Sequence, residues 1–517
     1  MMTNNIADLE LPELSISEDQ FIEQVKEDFW ICCVSREMSL LGRKEVLTGK
    51  AKFGIFGDGK EVPQVAMART FKKGDWRSGY YRDQTIMLAL GITSVENLFA
   101  QLYSDPINDK FSGGRQMNAH FATPFIDESN QWVNFTDQYN VSSDVSCTAG
   151  QMPRAVGLAL ASKLFRESEE LKEHNTLSKD GQEICFCTIG DASTSEGVFW
   201  EAINAAGVMQ VPMAISVWDD GYGISVPTKY QTTKGSISEV LKGFKSNKSG
   251  EGIDIYVEKG WSYPALREAY EKGIDKMRKT HKPAVFHITE LTQPQGHSTS
   301  GSHERYKSAE RLDWEEKFDC IKQMEKWMIA TDIASEEELK ATRKKAKKYV
   351  KECRNRAWEA YLKPVKEAQA EVKVIFENIL STLGEQEKVR IRPIYQAFQG
   401  LLNPVFADLV EQARKMHFQT LSLDNEYTQA LKDWLRKAAQ KAHENFHTDL
   451  YSDSQYAATK VQEIEPVITK DSPTLSGYQI LNTYFDKLLA RDPRVVAFGE
   501  DVGNIGDVNQ GFAGLQE

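Results

Sequence analysis

The stretch CFCTIGDASTSEG, residues 185–197, decides the fold of this chain. Its apolar first half predicts a buried strand, and the small residues that follow predict the start of a helix. Between the two, Gly190 and Asp191 place a carboxylate at the carboxyl end of the strand. A carboxylate in that position, followed by small residues at a helix start, is typical of a site for a metal-bridged phosphate.

The neighbouring segments extend this stretch into a larger unit. EICFCTIG (183–190) predicts a strand, GVFWEAINAAGVMQ (197–210) a helix and VPMAISVW (211–218) a second strand. Strand, helix and strand together form a βαβ crossover, which implies a parallel sheet. A further strand is predicted over AVFHITEL (284–291). We therefore expect an α/β fold in which a mostly parallel sheet is flanked by helices.

The bulk composition narrows the class of protein. A chain of 517 residues is long enough for two or three domains, and 41% hydrophobic residues are typical of a globular protein. A formal net charge of -12 argues against nucleic acid or an anionic membrane as the main partner. Seven cysteines without a CxxC pair, no leader at the start and no long apolar run predict a cytoplasmic protein without a membrane span.

Two acidic residues fall where neighbouring strands are predicted to end. Asp191 ends the first strand of the crossover, and Asp220 follows the second. In an open parallel sheet ligands bind at this edge, and two carboxylates there would bind Mg²⁺. The N–H groups of Ala192 and Ser193 are then placed to hold a phosphate. The alternative is that Asp191 caps a helix and Asp220 is a turn residue in DDGYG, and the pattern alone leaves both interpretations open.

Longer segments of the chain resemble a known family. GDASTSEG, EAINAAG and VWDDGYGIS resemble the thiamine-diphosphate signature, usually written GDG and, further along, NN. The version most similar to them belongs to the α subunit of the decarboxylating component of 2-oxo acid dehydrogenase complexes, especially the branched-chain type. GYYRD, GQMPRAVGLALA and GHSTSGSHERYKS extend the resemblance over residues 30–320. The resemblance implies a thiamine-diphosphate-binding fold, with thiamine diphosphate and Mg²⁺ as cofactors.

The resemblance also assigns roles to individual residues. It implies that Asp191 and Asp220 bind the metal together with the backbone carbonyl of Tyr222. His297 becomes the active-site histidine, on a mobile loop that closes over cofactor and substrate. The implied cofactor-binding residues are Tyr81, Arg82, Ser146, Gly190, Ala192, Ser193, Ile224 and His297.

Three positions depart from the family pattern. Ala192 stands where a glycine is usual, which narrows the turn. Asp219 and Asp220 replace the asparagine pair, so we expect more negative charge, stronger metal binding and weaker diphosphate binding without metal. Trp218 stands where branched-chain relatives often have an arginine, which predicts a weaker grip on the diphosphate.

The chain divides into four predicted segments. Residues 1–363 form the α-subunit-like domain that binds the diphosphate and the metal, and residues 364–450 form a helical extension. A linker rich in small and polar residues covers 451–473. Residues 474–517 resemble the start of the family's β subunit, so we expect an α–β fusion that is cut short in this second α/β domain.

The last predicted segment contains one helix and one strand. SGYQILNTYFDKLLAR (476–491) predicts the helix and VVAFGED (495–501) the strand. In the family, a β-subunit glutamate activates the aminopyrimidine of the cofactor and a second histidine assists acyl transfer. Both are expected beyond Glu517, so we expect the 517-residue chain to be inactive or nearly so by itself.

The resemblance implies a reaction and leaves its substrate open. It implies oxidative decarboxylation of a 2-oxo acid, preferably 3-methyl-2-oxobutanoate, with acyl transfer to a lipoyl group of an acyltransferase component. The alternatives are a pyruvate or acetoin dehydrogenase component and a non-catalytic assembly subunit. The partners expected are that acyltransferase and either a β-subunit-like module or a second copy of the chain.

Overall fold

The computed structural model describes residues 17–447 and 457–516, and it has the predicted α/β architecture. The strands are β1 (Trp76–Ser78), β2 (Asn140–Val141), β3 (Cys185–Gly190), β4 (Met213–Trp218), β5 (Tyr222–Gly223), β6 (Val226–Pro227), β7 (Asp254–Lys259) and β8 (Ala284–Thr289).

The α-helices cover both faces of the sheet and continue beyond it. They are α1 (Glu18–Leu47), α2 (Glu61–Ala68), α3 (Gln84–Ala89), α4 (Val95–Leu102), α5 (Gln151–Glu167), α6 (Gly197–Met209), α7 (Ile237–Val240), α8 (Tyr263–Thr280), α9 (Ala309–Lys317), α10 (Cys320–Ala330), α11 (Glu336–Thr382), α12 (Glu385–Gln399), α13 (Phe406–Gln419), α14 (Glu426–His447) and α15 (Gly477–Arg491).

Six strands form one parallel sheet in the order β2-β1-β3-β4-β8-β7. The crossover β3–α6–β4 is present as predicted, and Gly190 at the end of β3 pairs with Trp218 at the end of β4. These two strands therefore end at the same edge of the sheet. The two short strands β5 and β6 pair in the antiparallel direction, and they follow shortly after β4 in the chain.

Alternation along β3 separates two hydrophobic cores. Phe186 packs into the core shared with α1, α2 and α8, whereas Cys185 and Cys187 pack into the core shared with α5 and α6. Successive side chains of a strand point to opposite faces, so each face of the sheet is covered by helices. Both cysteines lie on one face, as their spacing predicts, and they are buried.

Helix α1 begins where its cap dictates. The Ser17 hydroxyl accepts from the Gln20 N–H, and the Gln20 side chain accepts from the Ser17 N–H, which makes a complete capping box. Val25, Phe29 and Cys32 lie at helical spacing on the buried face. The helical spacing of these apolar residues predicts a helix over residues 18–50, and the observed helix agrees with that prediction.

The helical extension has its own core but no break in the backbone before it. Helix α11 runs from Glu336 to Thr382, so the boundary predicted between residues 363 and 364 falls inside a helix. The hydrophobic contacts nevertheless divide near that point. Ala357 belongs to the first core, and Val365 belongs to a separate core formed by α11 to α14. The division between a domain over 1–363 and a helical extension over 364–450 stays a prediction: the two cores separate near this point, while helix α11 continues across it.

The last segment is only partly as predicted. Its helix is present as α15, and none of the residues of α15 is buried. The strand predicted over residues 495–501 is absent, because an isolated strand has no neighbour to complete its backbone hydrogen bonds. The predicted linker over 451–473 lies partly outside the described residues, and its remainder from residue 457 is almost wholly exposed.

Residues 104–150, which the sequence pattern left unassigned, are mainly loops with the short edge strand β2. In the part of the chain that the structure describes, no helix is long and apolar enough to cross a membrane.

Candidate active site

One cavity brings the predicted site residues together. It has a volume of about 550 Å³ and opens at the carboxyl ends of β3 and β4. Every residue predicted to bind cofactor or metal lines it, namely Tyr81, Arg82, Ser146, Gly190, Asp191, Ala192, Ser193, Asp220, Tyr222, Ile224 and His297. The roles predicted for these residues stay predictions, but their juxtaposition is a property of the fold.

Asp191 lies directly beyond β3, where its N–H donates to the Trp218 carbonyl. Its carboxylate accepts from the Thr228 hydroxyl at 3.1 Å and does not cap the short helix that follows. Burial raises the pKa of Asp191 well above its usual range, and the nearby Asp220 and Asp219 carboxylates raise it further. A carboxylate in this environment favours a cation beside it.

Asp220 serves both as a turn residue and as a cavity residue. Its Oδ1 accepts from the Tyr222 N–H at 3.2 Å, as an aspartate in a turn does, while Oδ2 accepts from the Lys60 ammonium at 2.8 Å. Burial raises the pKa of Asp220, but Lys60, Arg82 and Lys307 outweigh burial and leave that pKa below its usual value. The two interpretations of Asp220 are therefore compatible.

Lys60 is a site residue that the sequence pattern did not reveal. It precedes α2 and is 1% exposed. Its ammonium has three acceptors, which are Asp220 Oδ2 at 2.8 Å, the Thr292 carbonyl at 3.1 Å and Gln293 Oε1 at 2.6 Å. Lys60 lies in FGDGKE, a glycine-rich loop whose local pattern predicts only a turn. The glycine-punctuated sequence over 53–90, to which this loop belongs, predicts active-site loops between short helices, and that is the signal that could have located Lys60.

Arg82 and His297 form a second pair in the cavity. Arg82 Nη2 lies 3.0 Å from His297 Nδ1 and donates to the His297 carbonyl at 3.0 Å, and Nη1 donates to the Phe56 carbonyl. A guanidinium only donates, so Nδ1 accepts and the proton of the neutral ring resides on Nε2. Burial and the Arg82 charge lower the pKa of His297 to about 4, so the ring is neutral at pH 7.

Two further predicted residues have defined neighbours. Tyr81 presents its ring to the Arg82 guanidinium at 5.3 Å and lies edge-on to His297. Ser146 Oγ lies 3.0 Å from Nε2 of His120, a buried histidine from the same loop region. Neither His120 nor this contact was predicted, although His120 belongs to SGGRQMNAHF (112–121), a stretch whose composition predicts a turn.

The turn after Asp220 closely approaches the segment that begins at Ala192. A Cβ on Gly223 would lie 2.7 Å from the Ala192 Cβ, so only glycine permits this approach. Ile224 has a φ of 56°, which is unfavourable for a β-branched residue, and its side chain is exposed at the cavity. Strain of this kind is concentrated at ligand sites.

The structure shows the surroundings of residues that depart from the family pattern and of a lysine near them. Trp218 is fully buried and its indole N–H donates to Asp83, so it brings no charge to the cavity. Ala192 is the first residue of the short helix after Asp191, and its methyl group faces the turn at Gly223. Lys307 lines the cavity and pairs with Glu315 at 2.7 Å.

The donor set fits a divalent cation with a diphosphate. The described residues contain no group of three or more His, Cys, Asp or Glu side chains in a metal-binding arrangement. The predicted set needs only two carboxylates and a backbone carbonyl, with water and phosphate oxygens in the other positions. The mutual repulsion of Asp191 and Asp220, together with Arg82 in the same cavity, supplies the complementary charges for such a group.

Comparison with known proteins agrees with this arrangement. The family model described as "Dehydrogenase E1 component" matches residues 34–366. The chain is 25% identical over 330 residues to the 2-oxoisovalerate dehydrogenase subunit alpha of Bacillus subtilis (strain 168), a match that covers 63% of this chain and 86% of the relative.

Two more relatives show a similar extent of likeness. The 2-oxoisovalerate dehydrogenase subunit alpha 2, mitochondrial, of Arabidopsis thaliana is 28% identical over 306 residues, which are 58% of this chain and 56% of the relative. The pyruvate dehydrogenase E1 component subunit alpha of Porphyra purpurea is 26% identical over 284 residues, 54% of this chain and 73% of the relative. The chain thus spans little more than half the length of the Arabidopsis relative.

Proposed function

This chain belongs to the dehydrogenase E1 component family of thiamine-diphosphate-dependent 2-oxo acid dehydrogenases, and we propose that it decarboxylates a branched-chain 2-oxo acid. In this proposal the preferred substrate is 3-methyl-2-oxobutanoate, and the acyl group passes to a lipoyl group of an acyltransferase component. The matching relatives named for 2-oxoisovalerate support the choice of substrate.

The cavity at the ends of β3 and β4 is the observation that carries the proposal. It brings two acidic side chains, Asp191 and Asp220, and the Arg82–His297 pair into the lining of the same cavity. In parallel α/β sheets this edge is where ligands with phosphate groups bind. A non-catalytic assembly subunit would have no reason to keep this combination of charges in a buried cavity, which costs folding free energy.

Several residues of this chain would hold the cofactor. Asp191, Asp220 and the Tyr222 carbonyl would bind Mg²⁺, while Arg82 and Tyr81 would face the diphosphate. Thiamine diphosphate supplies, when bound, a carbon nucleophile and an electron sink for the electrons that remain after CO₂ leaves. The protein must then orient the 2-oxo acid and exclude water from the cavity.

The protonation state of His297 suits a residue that donates a hydrogen bond to the substrate. Its neutral ring carries a proton on Nε2, because Nδ1 accepts from Arg82. A neutral imidazole can donate a hydrogen bond to an oxygen of the substrate without adding a full positive charge to the site. Arg82 fixes the tautomer and the orientation of the ring, so a change at Arg82 acts on His297 as well.

The remaining parts of the proposal concern partners and location. We propose that a β-subunit-like module supplies the groups that act on the aminopyrimidine, and that the 517-residue chain is inactive or nearly so without it. A homo-oligomer is the alternative arrangement. The cytoplasmic location stays a prediction from the composition of the sequence.

The first experiment measures cofactor binding by the full chain. Thiamine diphosphate and MgCl₂ together should raise Tm, and at a concentration of a hundred times Kd the stabilisation is about 2.7 kcal/mol. Either compound alone should have a smaller effect. An unchanged Tm at saturating concentrations of both would contradict the proposal.

The second experiment separates the candidate substrates. CO₂ release from 3-methyl-2-oxobutanoate, pyruvate and a 2-oxo acid without a branch is measured with and without added β subunit from a related complex. We expect release only with the β subunit, fastest with the branched substrate. Faster release from pyruvate would favour a pyruvate dehydrogenase component, which one of the relatives supports by its name. Cofactor binding without release under any condition would favour the assembly subunit.

A further inference from the structure

We propose that Lys60 is a built-in counter-charge for Asp220, so that this lysine and this aspartate together take the place of the neutral asparagine in the family signature. The inference rests on the proposed function, because it concerns the charge that Mg²⁺ and a diphosphate meet in the same cavity. It assigns to Lys60 a positioning and charge-balancing role, without contact between Lys60 and the substrate.

The contacts of Lys60 are those of an ammonium enclosed by the protein. It has three N–H donors, and the three acceptors within reach are Asp220 Oδ2, the Thr292 carbonyl and Gln293 Oε1. Lys60 and Gln293 are both buried, at 1% and 4% exposure. No donor of Lys60 therefore remains for a phosphate oxygen, which distinguishes this lysine from one that grips the diphosphate.

The backbone around Lys60 is fixed from both sides. Gly59 has a φ of 86°, and a Cβ there would lie 2.2 Å from the Thr292 carbonyl oxygen, so glycine is required for this approach. On the other side, the Glu61 carboxylate accepts from Nε and Nη2 of Arg36 at 2.7 and 2.9 Å. The ammonium is thus delivered to Asp220 by a rigid segment, and not by a freely moving side chain on a loop.

The charges around the ion site balance when Lys60 is included. The family signature supplies one aspartate and one neutral asparagine, whereas this chain supplies Asp191 and Asp220. The additional negative charge is offset by Lys60 at 2.8 Å. The expectation from sequence that this site carries more negative charge than its relatives is therefore corrected at Asp220.

The neighbouring Asp219 has a different hydrogen-bond partner. Its Oδ2 lies 2.9 Å from Nε2 of His287 on β8, and His287 Nδ1 lies 2.9 Å from the Ser238 hydroxyl. The carboxylate of Asp219 is thereby directed to the sheet and does not line the cavity. Of the two acidic residues that replace the asparagine pair, only Asp220 faces the cavity, and it is the one that has a lysine.

A double-mutant cycle tests the pair in the absence of any cofactor. The full-length proteins are wild type, Lys60→Met, Asp220→Asn and the double variant, melted in buffer with EDTA. Each single substitution leaves one buried charge without its partner, so we expect a fall in Tm of roughly 5 °C. The double variant should recover at least half of the summed loss. Additive losses would overturn the proposal.

A matched control uses Lys307, a buried lysine that lines the cavity. Lys307 pairs with Glu315, not with Asp220, so Lys307→Met should couple to Asp220→Asn much less strongly than Lys60→Met does. Equal coupling of the two lysines would contradict a specific Lys60–Asp220 pair. If Lys60→Met alone does not fold, folding of the Lys60→Met/Asp220→Asn double variant supports the pair, and failure of both overturns it.

The second readout is the Mg²⁺ concentration at half-maximal rise in Tm, measured with thiamine diphosphate present. Lys60→Met should lower this concentration about tenfold and Asp220→Asn should raise it, with the double variant close to wild type. An unchanged concentration in Lys60→Met would overturn the charge-balancing role. If the Tm of wild type does not respond to Mg²⁺ and cofactor at all, the proposed function fails. The double-mutant cycle in EDTA still tests whether Lys60 and Asp220 interact.

Discussion

At the scale of single residues, His297 shows how a contact sets a protonation state. Its ring is partly buried, and the Arg82 guanidinium lies 3.0 Å from Nδ1. Burial is the larger cause of its low pKa and the Arg82 charge is the second. Both causes disfavour the imidazolium, so the neutral donor form persists over the whole physiological range.

The pH dependence of stability should report this state. The pKa of His297 is about 4 in the folded chain, against 6.5 for an unperturbed histidine. Between these values the unfolded chain binds more protons, so stability is lost as the pH falls from 6.5 to 4 and is unaffected above 6.5. The difference in unfolding free energy between wild type and His297→Gln should therefore change only in this window.

NMR titration of the His297 ring gives the direct measurement. In Arg82→Gln the pKa should rise toward 6.5 without reaching it, because burial remains. A His297 pKa near 6.5 in wild type would contradict the geometry of the pair. His281 serves as the control resonance: it does not line the cavity, and Arg82→Gln should leave its pKa, which burial lowers to about 4, unchanged.

Asp191 should lower the stability of the cofactor-free chain and strengthen the binding of Mg²⁺ with thiamine diphosphate. Its carboxylate is buried beside Asp220 and Asp219, so Asp191→Asn removes a buried charge and its repulsion from both neighbours and should raise the Tm of the cofactor-free chain. The same variant should lose most of the rise in Tm caused by Mg²⁺ with thiamine diphosphate. Thermal melting with and without both compounds measures the two effects, and a destabilised cofactor-free variant would contradict the prediction.

The acidic pair was predictable from sequence, whereas Lys60 was not. Asp191 and Asp220 follow two strands of one crossover, so local periodicity and one rule of sheet topology place them together. Lys60 lies 160 positions from Asp220 in the chain, and its segment has no periodicity that would locate it. A single buried cation of this kind depends on how separate loops meet, which local patterns do not contain.

At the scale of elements, the loop that precedes α2 is held against the loop that carries Arg82. Gly57 makes this contact, because a Cβ there would lie 2.2 Å from the Arg82 carbonyl oxygen. The Gln64 amide of α2 also donates to that carbonyl at 2.8 Å. The position of Arg82 in the cavity therefore depends on how closely α2 and its loop can approach.

Gly57→Ala should separate these two loops. The added methyl group meets backbone, not a side-chain end that can move, so we expect a loss of about 1–3 kcal/mol in unfolding free energy and weaker cofactor binding. Gly157→Ala is the matched control, since Gly157 lies in α5 with open space around it and alanine should stabilise the helix by up to about 1 kcal/mol. Chemical denaturation measures both, and a neutral Gly57→Ala would contradict the packing argument.

Elements with strong periodicity were predicted well, and short ones were not. The strand β3 and the helices α1 and α6 lie within a few residues of their predicted bounds. The edge strands β1 and β2 have three and two residues, which are too few to show a period. The segment 495–501 has the residue pattern of a strand but no partner strand among the described residues. The prediction of a strand there was wrong because a sequence pattern does not show whether a partner is present.

At the scale of the whole molecule, the described chain contains three hydrophobic cores and a segment that joins none of them. Two cores cover the faces of the sheet, and the third holds the bundle of α11 to α14 together. Helix α11 contributes to the first and the third, so it connects the sheet domain to the bundle without a flexible joint. Helix α15 contributes no buried residue.

The residues after 460 should therefore contribute little to stability. Several large apolar side chains of this segment are exposed, including Ile480 at 58% and Phe498 at 78%. A chain that ends at residue 460 should melt within about 2 °C of the full chain, since burial of apolar surface is what stabilises a fold. It should also be more soluble, because large exposed apolar patches favour association.

Two leucine-to-alanine substitutions test, without a deletion, whether α15 contributes to stability. Leu431 in α14 is fully buried, so Leu431→Ala should cost about 2–5 kcal/mol, while Leu481 in α15 is 53% exposed and Leu481→Ala should change stability by less than about 0.5 kcal/mol. Urea denaturation of both variants gives the comparison. A large loss in Leu481→Ala would mean that α15 packs against the rest of the chain in solution. In that case deletion after residue 460 must also lower Tm, so the two experiments check each other.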